Sequence, residues 1–394
     1  MEESTGPFAR IRNLSDMRQR ARRKLPKAIF DYIDGAAEDE TSRRRNRAQF
    51  DRWGFVQRSA VNVSRIDTSR EILGTTYAAP FGIGPTGLAG LAWPRAENLL
   101  AIAAADADVP FCLSTVASVT IEDAAEASRS GNWFQLYIFR DRGLSRSLLE
   151  RAKSAGYRVL VITVDCPTGG NRERDQLNDF TLPLRPTHRN VFNTALRPVW
   201  LMRMARNGPP RPENMVEAAA KAAQNAQGLV AFMSEQLDPA VTWADVEEFA
   251  QLWDGPVVVK GLLAASDVQR AKDAGAKGVV LSNHGGRQLD GAVSPLSVLP
   301  QIRGEHEDMT LLCDSGFRRG SDILKAVALG ADGVLMGRNT LYGVAAAGQP
   351  GAAHVLALLK TELIRAMTLL GTPTLSDVTR DHVMEIGHWD RSHP

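Results

Sequence analysis

Eight short apolar runs, each followed by a helical stretch, constrain the fold of this chain more than any other feature. They are Phe81-Gly82-Ile83-Gly84, Phe111-Cys112-Leu113, Trp133 to Tyr137, Val159 to Val164, Val257-Val258-Val259, Val279-Val280-Leu281, Thr310 to Cys313 and Gly333 to Met336. Such runs suit strands buried on both faces, as in a parallel sheet. Arg95 to Ala107, Ile121 to Ser128, Leu144 to Ala155, Ser266 to Ala274 and Ser321 to Leu329 carry helical patterns between them. Eight βα units predict a (β/α)8 TIM barrel rather than an open sheet. The expected organisation is one domain: an N-terminal helical cap (1–79), a barrel (80–340) with a long insertion after strand four (176–241), and a C-terminal helical tail (341–394).

Barrel enzymes build their sites where strands end. At those ends stand Thr86-Gly87, Ser114-Thr115, Tyr137, Asp165, Lys260, His284 with Arg287, Asp314 with Gly316, and Gly337-Arg338. Every mouth position is polar, charged or glycine. The most telling stretch is Ser282-Asn283-His284-Gly285-Gly286-Arg287-Gln288-Leu289-Asp290. It offers a proton acceptor, His284, near a fixed fork for a carboxylate, Arg287. Two glycines between them let the backbone turn and a flat ligand approach.

Other motifs leave two readings open. Lys260 is either a snorkelling lysine or a cation facing an electron-rich ring. Asp165 either caps a helix or orients His284. Arg172 either pairs with Glu173 or Asp175 or supplies a second carboxylate fork. Gly82-Ile83-Gly84-Pro85-Thr86-Gly87 matches G-x-G-x-x-G, yet Pro85 lacks the N–H that a pyrophosphate needs, so a dinucleotide site is rejected. Asp314 to Asp322 and Gly337-Arg338 suit a phosphate held between two loops and a helix N-terminus.

Composition excludes several classes. The net charge of +2 over 394 residues gives no global basic field for nucleic acid. No apolar run is long enough to span a bilayer, and the polar Met1 to Arg10 is no signal peptide. Cys112, Cys166 and Cys313 lack metal-ligand spacing and read as buried, reduced thiols in a cytoplasmic protein.

Taken together, Phe30-Asp31-Tyr32, Gln135-Leu136-Tyr137, Thr163-Val164-Asp165, Val259-Lys260-Gly261, Ser282 to Asp290 and Asp314 to Gly320 resemble the FMN-dependent 2-hydroxy acid dehydrogenase and oxidase family over about Leu25 to Gly371. The resemblance implies an FMN cofactor and oxidation of an (S)-2-hydroxy acid to the 2-oxo acid. It implies His284 as base, assisted by Asp165. Arg172, Arg287 and Tyr32 would hold the carboxylate, and Tyr137 would bond the substrate. Lys260 would sit by the flavin N1–C2 edge. Pro85, Thr86, Gly87, Ser114, Gln135 and Thr163 would line the ring; Asp314, Gly316, Arg318, Gly337 and Arg338 would hold the phosphate. Val116 stands where glycolate-oxidising members carry a tryptophan, which implies an open pocket and an aromatic, mandelate-like substrate. Electrons would pass to a quinone or other carrier. The alternatives are an oxidase using dioxygen and making peroxide, or an L-lactate dehydrogenase. A homotetramer is also implied.

The segment from Asp179 to Glu213 has no acidic residue between its ends and carries Arg185, Arg189, Arg197, Arg203, Arg206 and Arg211. Trp200 and Met204 are interleaved, and Pro183, Pro186 and Pro198 confine the expected helix to the part after Val199. A basic, tryptophan-bearing helix suits the inner face of a membrane.

Overall fold

A computed structural model describes residues 8–128, 131–181, 186–222, 232 and 235–386. Its centre is a ring of eight parallel strands: β1 (Phe81–Ile83), β2 (Cys112–Ser114), β3 (Trp133–Tyr137), β4 (Val159–Thr163), β5 (Val257–Leu262), β6 (Gly278–Leu281), β7 (Thr310–Cys313) and β8 (Gly333–Met336). From β2 to β8 each strand pairs with the next, and β8 pairs back onto β1. A bridge between Ile83 and Phe111 closes the ring. Around it lie α1 (Ala96–Asp106), α2 (Ile121–Ser128), α3 (Arg142–Ser154), α4 (Trp243–Gln251), α5 (Ala265–Asp273), α6 (Pro295–Glu305), α7 (Gly320–Ala328) and α8 (Arg338–Ala347). The expected TIM barrel is what the chain forms.

Strand side chains alternate in direction, and this sorts the barrel interior into storeys. Cys112, Trp133, Val159, Val161, Val258, Val280, Leu312 and Leu335 make an apolar lower storey. Two residues further on along the strands come Ser114, Gln135, Thr163, Lys260, Ser282, Asp314 and Gly337. The upper storey is therefore polar and opens at the carboxyl ends of the strands.

The ends of the chain depart from expectation. Helices Leu14–Lys24, Lys27–Asp34 and Thr41–Ala48 form the cap, but residues 70–77 are a β-hairpin, Arg70–Ile72 with Thr75–Tyr77. Leu73 and Gly74 both have positive φ, +52° and +75°, which matches the tight turn favoured in hairpins. Ile72 and Tyr77 pack into the lower storey, and Trp133 Nε1 donates to Tyr77 Oη at 3.2 Å. The hairpin is thus a floor under the barrel. The tail is not wholly helical either. After Gln349–Leu370 it includes the strand Val383–Glu385, which pairs antiparallel with Trp53–Phe55.

The insertion after β4 also differs. It holds helices Glu173–Leu177, His188–Ala195 and Pro198–Asn207. Thr187 caps the second through its side chain, and Pro198 opens the third from its first turn, where proline needs no donor. Trp200 is buried and donates Nε1 to the Leu91 carbonyl at 2.8 Å, while the Arg203 guanidinium lies 3.3 Å from the Trp93 ring centre. The expected interfacial tryptophan is therefore an internal anchor, because its indole N–H finds a protein acceptor. Pro183 and Arg185 lie outside the described residues. No described helix is long and apolar enough to cross a membrane.

Candidate active site

A cavity of about 340 Å³ opens at the barrel mouth, lined among others by Tyr32, Pro85, Thr86, Gly87, Lys260 and His284. Arg287, Asp314, Gly316, Arg318, Gly337 and Arg338 also stand in its wall, whereas Ser114, Val116, Gln135 and Arg172 do not line it. Asp165 stands directly behind His284. Tyr137 and Thr163 line a neighbouring cavity of about 280 Å³ instead.

His284 follows β6 with φ +56°, and Gly285 and Gly286 continue at +67° and +75°. Ser282 Oγ accepts from the His284 amide at 2.9 Å, and Ser315 Oγ from the Gly285 amide at 2.9 Å, which hold this turn. The imidazole Nδ1 meets Asp165 Oδ1 at 2.9 Å, so Nε2 is left toward the cavity. Burial pushes the imidazole pKa below its ordinary value; Asp165 pulls it back up, and Lys260 and Arg172 oppose it. Burial would raise the Asp165 carboxyl, but His284 and Lys260 outweigh it and hold the group well below the usual range. Lys260 Nζ lies 4.0 Å from Asp165 Oδ2 and 3.3 Å from Asp314 Oδ2. Burial works against the ammonium, yet these two acids keep it charged to higher pH than usual.

Arg287 reaches the cap. Its Nη1 donates to the carbonyls of Tyr32 at 2.7 Å and Gly35 at 3.0 Å, and its guanidinium lies 5.1 Å from the Tyr32 ring centre. Arg338 donates to the Ile33 and Gly35 carbonyls. Burial, with Arg172 adding repulsion, lowers the Arg287 pKa to about 9. Burial, with Arg43 and Arg318 nearby, lowers Arg338 to about 10. Cations crowded this way are poised for anions. Among the described residues Arg172 makes no ion pair with Glu173 or Asp175, and its buried Nε has no partner. Arg174 is the residue that pairs, with Glu40 and Asp34 of the cap.

The residues present fit a flat ring bearing a phosphate. Gln135 Nε2 and Thr163 Oγ1 are buried at the top of β3 and β4 without partners among the described residues, while Ser114 Oγ donates to Gln135 Oε1. A Cβ on Gly87 would lie 2.5 Å from Val116 Cγ2, and one on Gly337 would lie 3.0 Å from Thr86 Cγ2. Side chains there would collide with the walls of the mouth. One expectation is corrected at the phosphate end. The start of α7 is not open, because Asp322 accepts from the amides of Arg318 and Arg319, and Glu362 from that of Gly320. At α8, no acceptor among the described residues takes the amides of Arg338 and Asn339.

Two side chains near the site lie apart from what the sequence suggests. Arg43, within a run of three arginines, turns inward to Asp34 and Glu40. Cys166 is no core thiol: Sγ lies 3.5 Å from His284 Nδ1 and 3.4 Å from Asp165 Oδ1. Its position next to Asp165 in the sequence was the available signal. Asn46, whose amide exchanges hydrogen bonds with Asn283, gave none.

Comparison with known proteins adds a decisive observation. Residues 21–385 match the family model described as FMN-dependent dehydrogenase. This chain belongs to the FMN-dependent dehydrogenases. It is 41% identical to (S)-mandelate dehydrogenase of Pseudomonas putida over 95% of its own length and 94% of the relative's. It is 39% identical to L-lactate dehydrogenase of Pectobacterium atrosepticum over 94% of its length and 96% of that protein's. Its fold matches the crystal structure of the monotopic membrane protein (S)-mandelate dehydrogenase, with a TM-score of 0.91 and 41% identity, covering 95% of this chain and 99% of that one. The protein is thus an FMN-dependent 2-hydroxy acid dehydrogenase with a TIM-barrel fold.

Proposed function

We propose that this dehydrogenase oxidises an (S)-2-hydroxy acid with an aromatic side chain, mandelate-like, to the 2-oxo acid, and passes the electrons to a membrane quinone or similar carrier. FMN, when bound, accepts the two electrons that leave the substrate. The chain's own residues manage the rest. Arg172 and Arg287, with Tyr32, bind the carboxylate. His284 Nε2 takes the departing proton, while Asp165 fixes the tautomer and stabilises the imidazolium. Tyr137 bonds the substrate oxygens, and Lys260 supplies positive charge beside the ring. Gln135 and Thr163, with Pro85, Thr86, Gly87 and Ser114, bear on the ring; Asp314, Gly316, Arg318, Gly337 and Arg338 bear on the ribityl phosphate.

The observation that carries this reading is the His284–Asp165 contact at 2.9 Å beside an unpaired, buried Arg172 Nε. Support for an aromatic substrate is the likeness to (S)-mandelate dehydrogenase and the valine at position 116 beside Gly87. Anaerobic bleaching of the purified yellow protein by a panel of 2-hydroxy acids tests it. Fastest bleaching by (S)-mandelate is expected. Faster bleaching by lactate would overturn the aromatic assignment, and stoichiometric peroxide in air would assign the oxidase reaction instead.

The exposed apolar side chains Val191, Phe192, Leu196, Val199, Leu201 and Met202, with Arg189 and Arg206 nearby, support a peripheral site on an anionic membrane. Each cation near such a leaflet adds about 1 kcal/mol. We place the protein on the cytoplasmic face, as a homotetramer; three free cysteines accord with a reducing compartment. Flotation with anionic liposomes is expected to carry the holoenzyme but not the triple variant Phe192→Ser, Leu196→Ser, Met202→Ser. Equal flotation of both would sink the assignment of this face.

A further inference from the structure

Arg172 lies on a loop beyond the end of β4, and a substrate fork needs its loop held still. The cap supplies the hold. Arg174 Nη2 donates to Glu40 Oε2 at 2.6 Å, and Nη1 to Asp34 Oδ2 at 3.3 Å. Just before Arg172, the Asn171 carbonyl accepts from the Glu38 amide at 2.8 Å. Just after the short helix, Asn178 Nδ2 donates to Asp31 Oδ2 at 2.9 Å, and Phe180 stacks on Tyr32 with ring centres 4.7 Å apart.

From this arrangement we infer that Arg174 is a positioning residue, which latches the loop to the cap and so sets Arg172 over the substrate carboxylate. The two arginines stand two apart. One faces the acids of the cap, and the other keeps a buried, unpartnered Nε. The latch is separable from the frame beneath it. Asp34 is also held by Arg18 at 2.6 Å, Arg43 at 3.0 Å and Tyr342 Oη at 2.6 Å. Glu40 is also held by Arg43 Nη1 at 2.7 Å and accepts from the Ala36 amide at 3.0 Å. Removing the Arg174 guanidinium therefore leaves both acids paired, and the cap keeps its shape. A lysine offers a point charge but cannot fork between two carboxylates, so it restores only part of the hold.

The inference rests on the carboxylate role of Arg172, and the experiment separates the two. The holoenzymes Arg174→Ala, Arg174→Lys, Arg172→Ala and the double alanine variant are compared for KM, kcat, binding of oxalate as a non-reacting carboxylate, FMN content and Tm. Misplacing a binding group by about 1 Å can cost up to about a hundredfold. Arg174→Ala is expected to raise KM and the oxalate Kd by roughly ten- to a hundredfold, with kcat changed less, and FMN content and Tm kept. Arg174→Lys recovers part of that loss. In the Arg172→Ala background the Arg174 change adds nothing further, the non-additivity expected of residues acting through one another. If Arg172→Ala raises KM and Arg174→Ala does not, the latch is wrong and the carboxylate role stands. If neither raises KM, both fall. A rise in KM accompanied by lost flavin or a lowered Tm would make Arg174 merely structural and overturn the inference.

Discussion

Asp165→Asn preserves the shape of the pocket around His284 and removes one charge. In the protein, Asp165 Oδ1 lies 2.9 Å from His284 Nδ1, and both groups are largely shielded from water. Two opposite charges about 4 Å apart at an effective dielectric of about 20 attract by about 4 kcal/mol. Each 1.36 kcal/mol is a factor of ten, so the proton-accepting step loses on the order of a thousandfold. The pH dependence carries its own sign. The imidazole works only when neutral, so the rate falls as pH drops through its pKa. Burial, Lys260 and Arg172 already press that pKa down, and Asp165 lifts it. Without the carboxylate the acid limb therefore moves to still lower pH, even as the plateau falls. Stopped-flow reduction of the flavin by substrate, without oxygen and across pH, reads both effects. A loss below tenfold, or a limb displaced to higher pH, would refute the reasoning.

His284→Ala is expected to keep the bound flavin and to lower the reduction rate by roughly 10²–10⁴, checked by visible absorbance and single-turnover kinetics. Arg287→Lys replaces a fork that also grips the Tyr32 and Gly35 carbonyls, so KM for the hydroxy acid should rise more than FMN is lost; steady-state kinetics and flavin content report the two. Val116→Trp puts a ring beside Gly87 in the mouth, and the ratio of kcat/KM for mandelate over lactate should fall.

Much of the fold was legible because parallel strands buried on both faces leave unbroken apolar runs, and Val159 to Val164 or Gly333 to Met336 admit few other readings. The mouth residues followed from where those runs stop. What stayed hidden depends on partners far along the chain. Arg43 reads as one of three solvated arginines until Asp34 and Glu40 fold against it. Trp200 reads as a membrane anchor until the Leu91 carbonyl takes its N–H. Residues 70–77 hold strand-favouring Ile72, Thr75, Thr76 and Tyr77, but two runs of three residues are too short to show a period, and their hairpin is fixed by the barrel floor it fills. Between Arg172 and Arg174, spacing alone gave no means of telling which one would meet the acids of the cap.

The two storeys of the barrel have a practical consequence. Val161, Val258, Val280 and Leu312 sit above the hairpin, and the cavity-lining side chains begin only at Thr163, Lys260, His284 and Asp314. Substitutions in well-separated regions with no shared partners combine nearly additively. Heat tolerance can therefore be adjusted by repacking the lower storey around Ile72 and Tyr77, and substrate choice by reshaping the rim around Gly87 and Val116, as two separate engineering problems on one scaffold.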